Sequence, residues 1–218
     1  MERRSALKNI GIVFGYTITA PTLIGVLQSC QDRTQFADWK PRFFGKDKGM
    51  AFAKMLDVII PRTDSVSATD VNVHRFIDEL ISTCLPQEQQ NLFKETMDVF
   101  MEKVLTKAEK ESPAKLDEDD FTPLLKVYLA RISENEQKKI KDFNSDYIAA
   151  QRKGESIELN GELASFAFAQ QVRNLAIMGY KASEYVGKKL MVYLPVPGEF
   201  IPCESIEVLT KGKAWSLG

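Results

Sequence analysis

Apolar side chains recur every three or four positions along most of the chain after residue 47, which is the spacing of helices that bury one face. Proline and glycine interrupt this pattern, because proline breaks a helix interior and glycine commonly follows a helix. Pro61 is expected to end the first helix, Pro86 the second and Gly179 the sixth. The pattern predicts helices over residues 50–60, 73–84, 86–104, 117–132, 134–152 and 161–178.

Polar residues mark the beginnings of three of these helices. Asp70 is positioned to cap the second helix. Asp117 to Asp120 place carboxylates in the first turn of the fourth, where they interact favourably with the helix dipole. Ser133 and Glu136 have the spacing of a capping box at the start of the fifth.

The pattern changes after Gly179. Residues 193–198 read Tyr-Leu-Pro-Val-Pro-Gly and cannot continue a helix. Residues 193–218 are therefore predicted to form an extended C-terminal arm, with at most one short hairpin around residues 211–212. The predicted fold class is all-α: an irregular bundle of about five to six helices that ends in this arm.

The first 29 residues have the three parts of a bacterial secretory signal. Arg3 and Arg4 give a basic start that resembles the twin-arginine export signal, and a moderately apolar stretch follows over residues 10–27. Pro21 argues against a continuous membrane-spanning helix, which needs about 20 strongly apolar residues. We expect residues 1–29 to direct export.

Residues 27–30, Leu-Gln-Ser-Cys, resemble the lipobox of bacterial lipoproteins, in which the cysteine is acylated and becomes the new N-terminus. Two other interpretations stay open: a plain signal cut near Ala20, and an uncleaved anchor with Cys30 left free. The favoured interpretation gives a signal (1–29), a tether (30–47) and a single helical domain (48–218). It places the protein on the periplasmic side of the bacterial cell envelope, anchored by lipid on Cys30.

Composition excludes several classes of function. The 218-residue chain has 29 Lys and Arg against 30 Asp and Glu, a formal net charge of −1, which argues against nucleic acid as a partner. Three cysteines and one histidine, His74, nearly exclude a four-ligand zinc site and any mechanism that needs two histidines. The sequence has no dinucleotide fingerprint, phosphate-binding loop or nucleophile elbow. We therefore predict no catalytic residue, cofactor site or metal site in this chain.

The acidic groups and His74 are expected to have structural roles. Asp117–Asp120 lack the spacing and the central glycine of a calcium loop. His74 lies in a helical pattern, where packing or capping is expected. Four carboxylates surround the Pro61 loop and are expected in turns and caps: Asp57, Asp64, Asp70 and Asp78.

Cys84 and Cys203 are the cysteines that are left once Cys30 carries lipid. In an oxidising compartment they can bridge each other, and one of them can instead bridge to another chain. Cys84 lies on an apolar helix face, where a buried free thiol is expected. Cys203 lies in the arm, where we expect it to be more accessible.

The C-terminal arm is rich in apolar and proline residues for an irregular segment. It can pack on its own helices, or it can lie across a partner, because a pre-extended strand loses little entropy on docking. We expect a partner surface made of the arm and the Pro61 loop. The expected interface residues are Tyr193, Pro195, Pro197, Phe200 and Cys203.

Four stretches together are similar to one protein family. They are the Arg-Arg signal, residues 56–64 (Leu-Asp-Val-Ile-Ile-Pro-Arg-Thr-Asp), residues 73–78 (Val-His-Arg-Phe-Ile-Asp), and the arm from 179–184 (Gly-Tyr-Lys-Ala-Ser-Glu) to Pro197-Gly198. Over residues 50–215 the chain resembles the gluconate 2-dehydrogenase subunit 3 (small subunit) family. The resemblance implies a large flavoprotein dehydrogenase partner of the glucose–methanol–choline class that carries FAD, and a cytochrome c subunit that carries haem c. It assigns no catalytic residue to the small subunit.

The expected function is therefore that of a non-catalytic small subunit in an exported FAD-dependent sugar or alcohol dehydrogenase complex. Its role would be to support export, assembly and membrane tethering of the catalytic subunit. The alternative is a stand-alone envelope lipoprotein that binds a ligand or scaffolds other proteins, which predicts a monomer with a concave apolar pocket. A third hypothesis, an enzyme that uses Asp57, Asp64 and His74, predicts loss of activity in His74→Ala.

Overall fold

Six long helices form the domain, and the fold is all-α, as the apolar periodicity predicts. The computed structural model describes residues 38–193 and 203–216. The long helices are α1 (Lys46–Ile59), α2 (Val73–Cys84), α3 (Gln87–Ala108), α4 (Glu118–Tyr128), α5 (Glu134–Lys153) and α6 (Gly161–Ala182). The shorter elements are two 3₁₀ turns (Thr69–Val71 and Pro113–Lys115), a π-helical turn (Val186–Leu190), strand β1 (Val192–Tyr193), helix α7 (Ile206–Thr210) and strand β2 (Trp215–Ser216).

The predicted export signal and lipid attachment site, on Arg3, Arg4 and Cys30, lie outside the described residues and stay predictions. None of the helices within 38–193 and 203–216 combines the length and the apolar character that a membrane span requires.

The centre of the core is the contact between α3 and α6, the most extensive one between two helices among the described residues. Phe93 and Phe100 of α3 contact Phe168 of α6, with ring centroids 5.4 and 5.1 Å apart. All three rings are fully buried. Angled aromatic contacts of this kind add stability beyond the area that they bury.

The segment that enters α1 is fixed to the core. Asp78 of α2 is buried, and its carboxylate accepts hydrogen bonds from the backbone N–H groups of Arg42 (2.8 Å) and Phe43 (2.9 Å). Phe44 is buried and stacks on Phe52 of α1 at a centroid distance of 4.3 Å. The expected end of the tether is therefore held by backbone hydrogen bonds to Asp78 and by aromatic contacts.

The helix-start signals of α4 and α5 form as predicted. Asp117 N donates to the carboxylate of Asp120 at 2.7 Å, and ion pairs join Asp117 to Lys54 and to Lys110. At α5, Ser133 N donates to Glu136 at 2.7 Å while Glu136 N donates to Ser133 Oγ at 3.3 Å. The hydrogen bonds that Ser133 N and Ser133 Oγ donate to its carboxylate lower the pKa of Glu136.

The C-terminal arm differs from the prediction. Instead of a hairpin around residues 211–212, β1 pairs in parallel with β2, with Val192 opposite Trp215. A hairpin is prevented because the residues before Gly212 form α7, which Ser205 caps by accepting a hydrogen bond from Val208 N at 3.3 Å. The arm is therefore not wholly extended, and its two described ends are joined to each other.

Candidate partner interface

The loop between α1 and α2 is the first element of the candidate interface. Pro61 stops α1, and the loop closes on itself where Ala68 N donates to the carbonyl of Ile60 at 3.1 Å. Residues 61–64 are exposed, whereas residues 67–69 are buried. The loop therefore presents its tip to solvent from a fixed base.

Asp57 of α1 holds this base. Its carboxylate accepts hydrogen bonds from Thr69 N at 2.9 Å and from Thr69 Oγ1 at 2.5 Å. Burial raises the pKa of Asp57, and the bonds from Thr69 oppose that rise only in part. Asp57 is therefore a structural carboxylate, as the sequence predicts.

Asp70 does not cap α2, and this prediction is wrong. Its carboxylate accepts a hydrogen bond from Ser67 N at 2.7 Å and pairs with Arg62, so it braces the loop that precedes the helix. Residues 69–71 form a 3₁₀ turn, and Asn72 has a φ of 60° at the start of α2. Because Asn tolerates this left-handed conformation better than most residues do, it can redirect the chain there.

Gly179 does not end α6, which also corrects the prediction. The helix continues to Ala182, and Gly179 is buried against α2. A Cβ atom at Gly179 would lie 2.6 Å from Cδ1 of Phe76 and 3.3 Å from Cγ1 of Val73. The glycine therefore serves close packing of α6 on α2 and not the ending of a helix.

The last turn of α6 is tied to the loop. Tyr180 Oη donates a hydrogen bond to the carbonyl of Val66 at 2.8 Å, across 114 positions of sequence. Ser183 Oγ donates to the carbonyl of Tyr180 at 2.7 Å where the helix ends. The stretch at 56–64 and its continuation therefore lie beside the stretch at 179–184.

A cleft of about 520 Å³ forms where these two segments meet. One wall is the end of the loop, and the other is the segment after α6. Lys188 and Glu184 form an ion pair at 2.8 Å on the second wall, and the side chain of Tyr185 is 48% exposed. The lining residues are Asp70, Val71, Asn72, Ser183, Glu184, Tyr185, Lys188 and Lys189.

The arm leaves the domain beside this cleft. The π-helical turn that contributes Lys188 and Lys189 leads directly into β1, and Val192 N donates to the carbonyl of Ala214 at 2.8 Å. In the returning part of the arm Trp215 is 42% exposed and Ile206 is 68% exposed. The loop, the cleft and the described ends of the arm therefore form one surface, which we call the cleft surface.

The structure describes only some of the expected interface residues. Tyr193 lies in β1, opposite Ser216. Pro195, Pro197 and Phe200 lie outside the described residues. Cys203 is exposed and has a φ of 59°.

Both described cysteines carry free thiols. Cys203 is accessible, as expected, but Cys84 is exposed, so its predicted burial is wrong. Cys84 is the last residue of α2, beyond the positions whose side chains face the core.

The acidic residues near the Pro61 loop and His74 lie in different local environments. Asp64 is exposed in the loop, Asp57 binds Thr69, and Asp78 binds the backbone before α1. His74 is buried in α2, which agrees with its expected packing role. Within the described ranges, no three His, Cys, Asp or Glu side chains are grouped as they would be to hold a metal ion.

Sequence reasoning did not identify four residues of the cleft surface. Asn72, Tyr185, Lys188 and Lys189 line the cleft, yet none belongs to a motif or to an apolar periodicity that points to a site. The available signal was indirect. Two separate stretches, at 56–64 and 179–184, resembled the same family, and residues that follow both stretches meet here.

Comparison with known proteins identifies the family of this chain. The family model described as gluconate 2-dehydrogenase subunit 3 matches residues 46–198, which is more than half of the chain. The match begins at the first residue of α1 and includes the loop, α6 and both walls of the cleft. No curated protein and no solved structure gives a significant match. The chain belongs to the gluconate 2-dehydrogenase subunit 3 family.

Proposed function

We propose that this protein is a non-catalytic accessory subunit of an exported, FAD-dependent sugar or alcohol dehydrogenase complex. The observation that carries the proposal is the family match over residues 46–198. In this proposal a large flavoprotein of the glucose–methanol–choline class holds FAD and performs the oxidation. A cytochrome c subunit with haem c receives the electrons.

Export and anchoring form a second part of the proposal. The pattern of residues 1–30 supports it: Arg3 and Arg4 for twin-arginine export, and Cys30 for lipid attachment on the periplasmic side. A folded flavoprotein without a signal of its own can cross the membrane with an exported partner. The small subunit would then supply the export route, assist assembly and tether the complex to the membrane.

The cleft surface is the proposed docking site for the flavoprotein. It lies where residues that follow the stretch at 56–64 meet the stretch at 179–184 and its continuation, and it exposes Tyr185 beside charged side chains. Aromatic residues with a rim of polar groups are typical of residues that dominate binding energy. The arm residues Tyr193, Pro195, Pro197, Phe200 and Cys203 extend this surface in the proposal.

Purification of the complex tests the accessory role. The full chain, with a tag after Gly218, is expressed in its own host and captured from detergent-solubilised membranes. A flavoprotein with the absorbance of FAD should be recovered with it, and the pair should oxidise a sugar or alcohol. Recovery of the tagged chain alone, as a monomer, would contradict the proposal and favour a stand-alone lipoprotein.

The docking surface is tested by Tyr185→Ala. Loss of this exposed aromatic side chain should reduce recovery of the flavoprotein about tenfold, because interface aromatics commonly contribute about 1–2 kcal/mol or more. The matched control is Val127→Ala on α4, which truncates an apolar side chain that is 55% exposed and does not line the cleft. This control should capture as much flavoprotein as the unmodified chain does.

A chain truncated after Leu190 should show the same loss, because it lacks β1 and the rest of the arm. Circular dichroism and the unfolding transition of α1–α6 verify that each variant is folded. Undiminished capture by both Tyr185→Ala and the truncated chain would place the interface elsewhere.

A further inference from the structure

Another cleft, of about 890 Å³, lies between the turn that joins α4 to α5 and the middle of α6. It shares no lining residue with the cleft surface. Its lining is mostly polar, in contrast to the apolar pockets that bind apolar ligands. The polar side chains that line it include Arg131, Ser133, Glu134, Gln137, Arg173 and Asn174.

Arg173 is held in place by neutral groups. Its Nη2 donates a hydrogen bond to Gln170 Oε1 at 2.6 Å, and Gln170 Nε2 donates to the carbonyl of Tyr128 at 2.7 Å. Arg173 is half-buried. A chain of two hydrogen bonds that starts at the end of α4 orients its guanidinium. A guanidinium fixed in this way keeps its other N–H groups available to a ligand.

No ion pair neutralises Arg131 or Arg173 within the part of the chain that the structure describes. Two other half-buried basic residues differ in this respect, since Lys103 pairs with Glu162 and Lys110 with Asp120. The carboxylate of Glu136, which is near in sequence, is engaged by Ser133 N and Ser133 Oγ, both at 2.7 Å.

The lining of the cleft carries a positive charge overall. Arg131 and Arg173 contribute two positive charges, and Glu134 contributes one negative charge. An oxyanion can bind a guanidinium through two parallel hydrogen bonds, which makes arginine the preferred residue for phosphate and carboxylate groups. Glu134 and the amides of Gln137 and Asn174 are suited to hydroxyl groups of the same ligand.

We infer that this cleft binds the phosphate or carboxylate group of a small hydroxylated molecule through Arg131 and Arg173. The cleft has the volume of a small-molecule site. The same chemistry, a phosphate beside free hydroxyl groups, occurs in soluble metabolites and in the headgroups of glycerophospholipids. The inference does not depend on the flavoprotein partner, because it rests on residues outside the cleft surface.

Ligand-dependent stabilisation tests the inference. The full chain is purified in detergent micelles and titrated with glycerol 3-phosphate at constant ionic strength. Ligand that binds only the folded state should raise the unfolding temperature by about 3 °C when its concentration is about ten times the Kd. In a second arm, phosphatidylglycerol is added to the micelles and compared with phosphatidylcholine.

The variants Arg131→Gln and Arg173→Gln identify the site. Each should weaken binding about tenfold, because each removes a charge-assisted hydrogen bond. Arg131 is exposed, so its variant stays informative if Arg173→Gln does not fold. Arg152→Gln is the matched control, since Arg152 also lies on the surface at α5 but does not line this cleft, and it should bind as the unmodified chain does.

The two arms distinguish the sources of the ligand. Stabilisation by glycerol 3-phosphate that is weakened in Arg131→Gln supports a soluble ligand. Stabilisation by phosphatidylglycerol alone, with the same dependence on Arg131, supports a lipid headgroup. The absence of stabilisation in both arms, or stabilisation that is equal in the arginine variants and the unmodified chain, would overturn the inference.

Discussion

Asp57 and Asp78 show how neighbouring groups give one residue type two structural roles. Asp57 accepts hydrogen bonds from the backbone N–H and the hydroxyl of Thr69 and fixes the base of the loop after α1. Asp78 is buried and accepts bonds from the backbone that leads into α1. Both carboxylates therefore stabilise segments of the same chain through the hydrogen bonds that they accept.

The pH dependence of stability should reveal the burial of Asp57. Burial raises its pKa above the ordinary value of 3.8 in the folded state, so the folded protein retains this proton more strongly than the unfolded chain does. Stability from this group is therefore fully present below about pH 4 and is lost as the pH rises through the raised pKa. Asp57→Asn removes the titration, so its free energy of unfolding relative to the unmodified chain should increase as the pH rises above about 4.

Urea unfolding at a series of pH values measures this difference. Asp64→Asn is the matched control, because it changes an exposed aspartate in the loop after α1 and leaves Asp57 in place. Identical pH dependence in Asp57→Asn and the unmodified chain would contradict the expectation.

At the scale of elements, local signals and packing requirements can conflict, and α6 is the example. Glycine lowers helix stability by about 1 kcal/mol relative to alanine, so Gly179 would be expected at a helix end. The helix nevertheless continues through it, because glycine lets the ring of Phe76 and a methyl group of Val73 approach closely. The contact explains why a helix of this length keeps a glycine near its C-terminus.

Gly179→Ala should lower the free energy of unfolding by about 1 kcal/mol. Overpacking against Phe76 costs about 1–3 kcal/mol, and the higher helix propensity of alanine offsets part of that cost. Gly161→Ala is the matched control in the same helix, since the nearest atoms to its Cβ would lie 3.9 Å away, and its stability should equal or exceed that of the unmodified chain.

A double-mutant cycle verifies the cause. In the background of Phe76→Ala, the ring that meets the new methyl group is gone, so Gly179→Ala should no longer destabilise the protein. Equal destabilisation by Gly179→Ala in both backgrounds would show that Phe76 is not the obstacle.

At the scale of the whole molecule, contacts between distant parts of the sequence decide which surfaces exist. The hydrogen bond from Tyr180 to Val66 brings the end of α6 to the loop after α1 and creates the cleft surface. The bonds from Arg42 and Phe43 to Asp78 fix where the chain enters the domain. In the proposed function, this entry point is also where the membrane tether joins the domain.

Removal of the Asp78 carboxylate should loosen this entry point. Asp78→Ala leaves the N–H groups of Arg42 and Phe43 without their acceptor in a partly buried site, and we expect a loss of about 2 kcal/mol in the free energy of unfolding. Hydrogen exchange should become faster at these two amides. Glu79→Ala is the matched control, because the ion pair of Glu79 with Arg42 is exposed and should contribute less than about 1 kcal/mol.

If Asp78→Ala and Glu79→Ala have equal effects on stability and on exchange at residues 42 and 43, the carboxylate of Asp78 does not hold the entry segment. The aromatic contacts of Phe43 and Phe44 with Phe52 and Phe93 would then be the main attachment.

The helices and most of their ends follow from local patterns in the sequence. Apolar periodicity, Pro61, Pro86 and the capping box of Ser133 and Glu136 act within a few residues, so their effects can be read locally. The structural roles of Asp57 and His74 were also predicted. The family was recognised from short stretches whose positions in space were then unknown.

Tertiary structure alone decided how those stretches meet. Gly179 lies inside α6, and Asp70 accepts a hydrogen bond from the loop instead of capping α2. Cys84 is exposed, and the two strands of the arm pair in parallel. Tertiary structure also placed Arg131 and Arg173 around one cleft, although 42 positions separate them. Each of these outcomes depends on groups that are far apart in the chain, and a residue's local pattern carries no information about which distant group will pack against it.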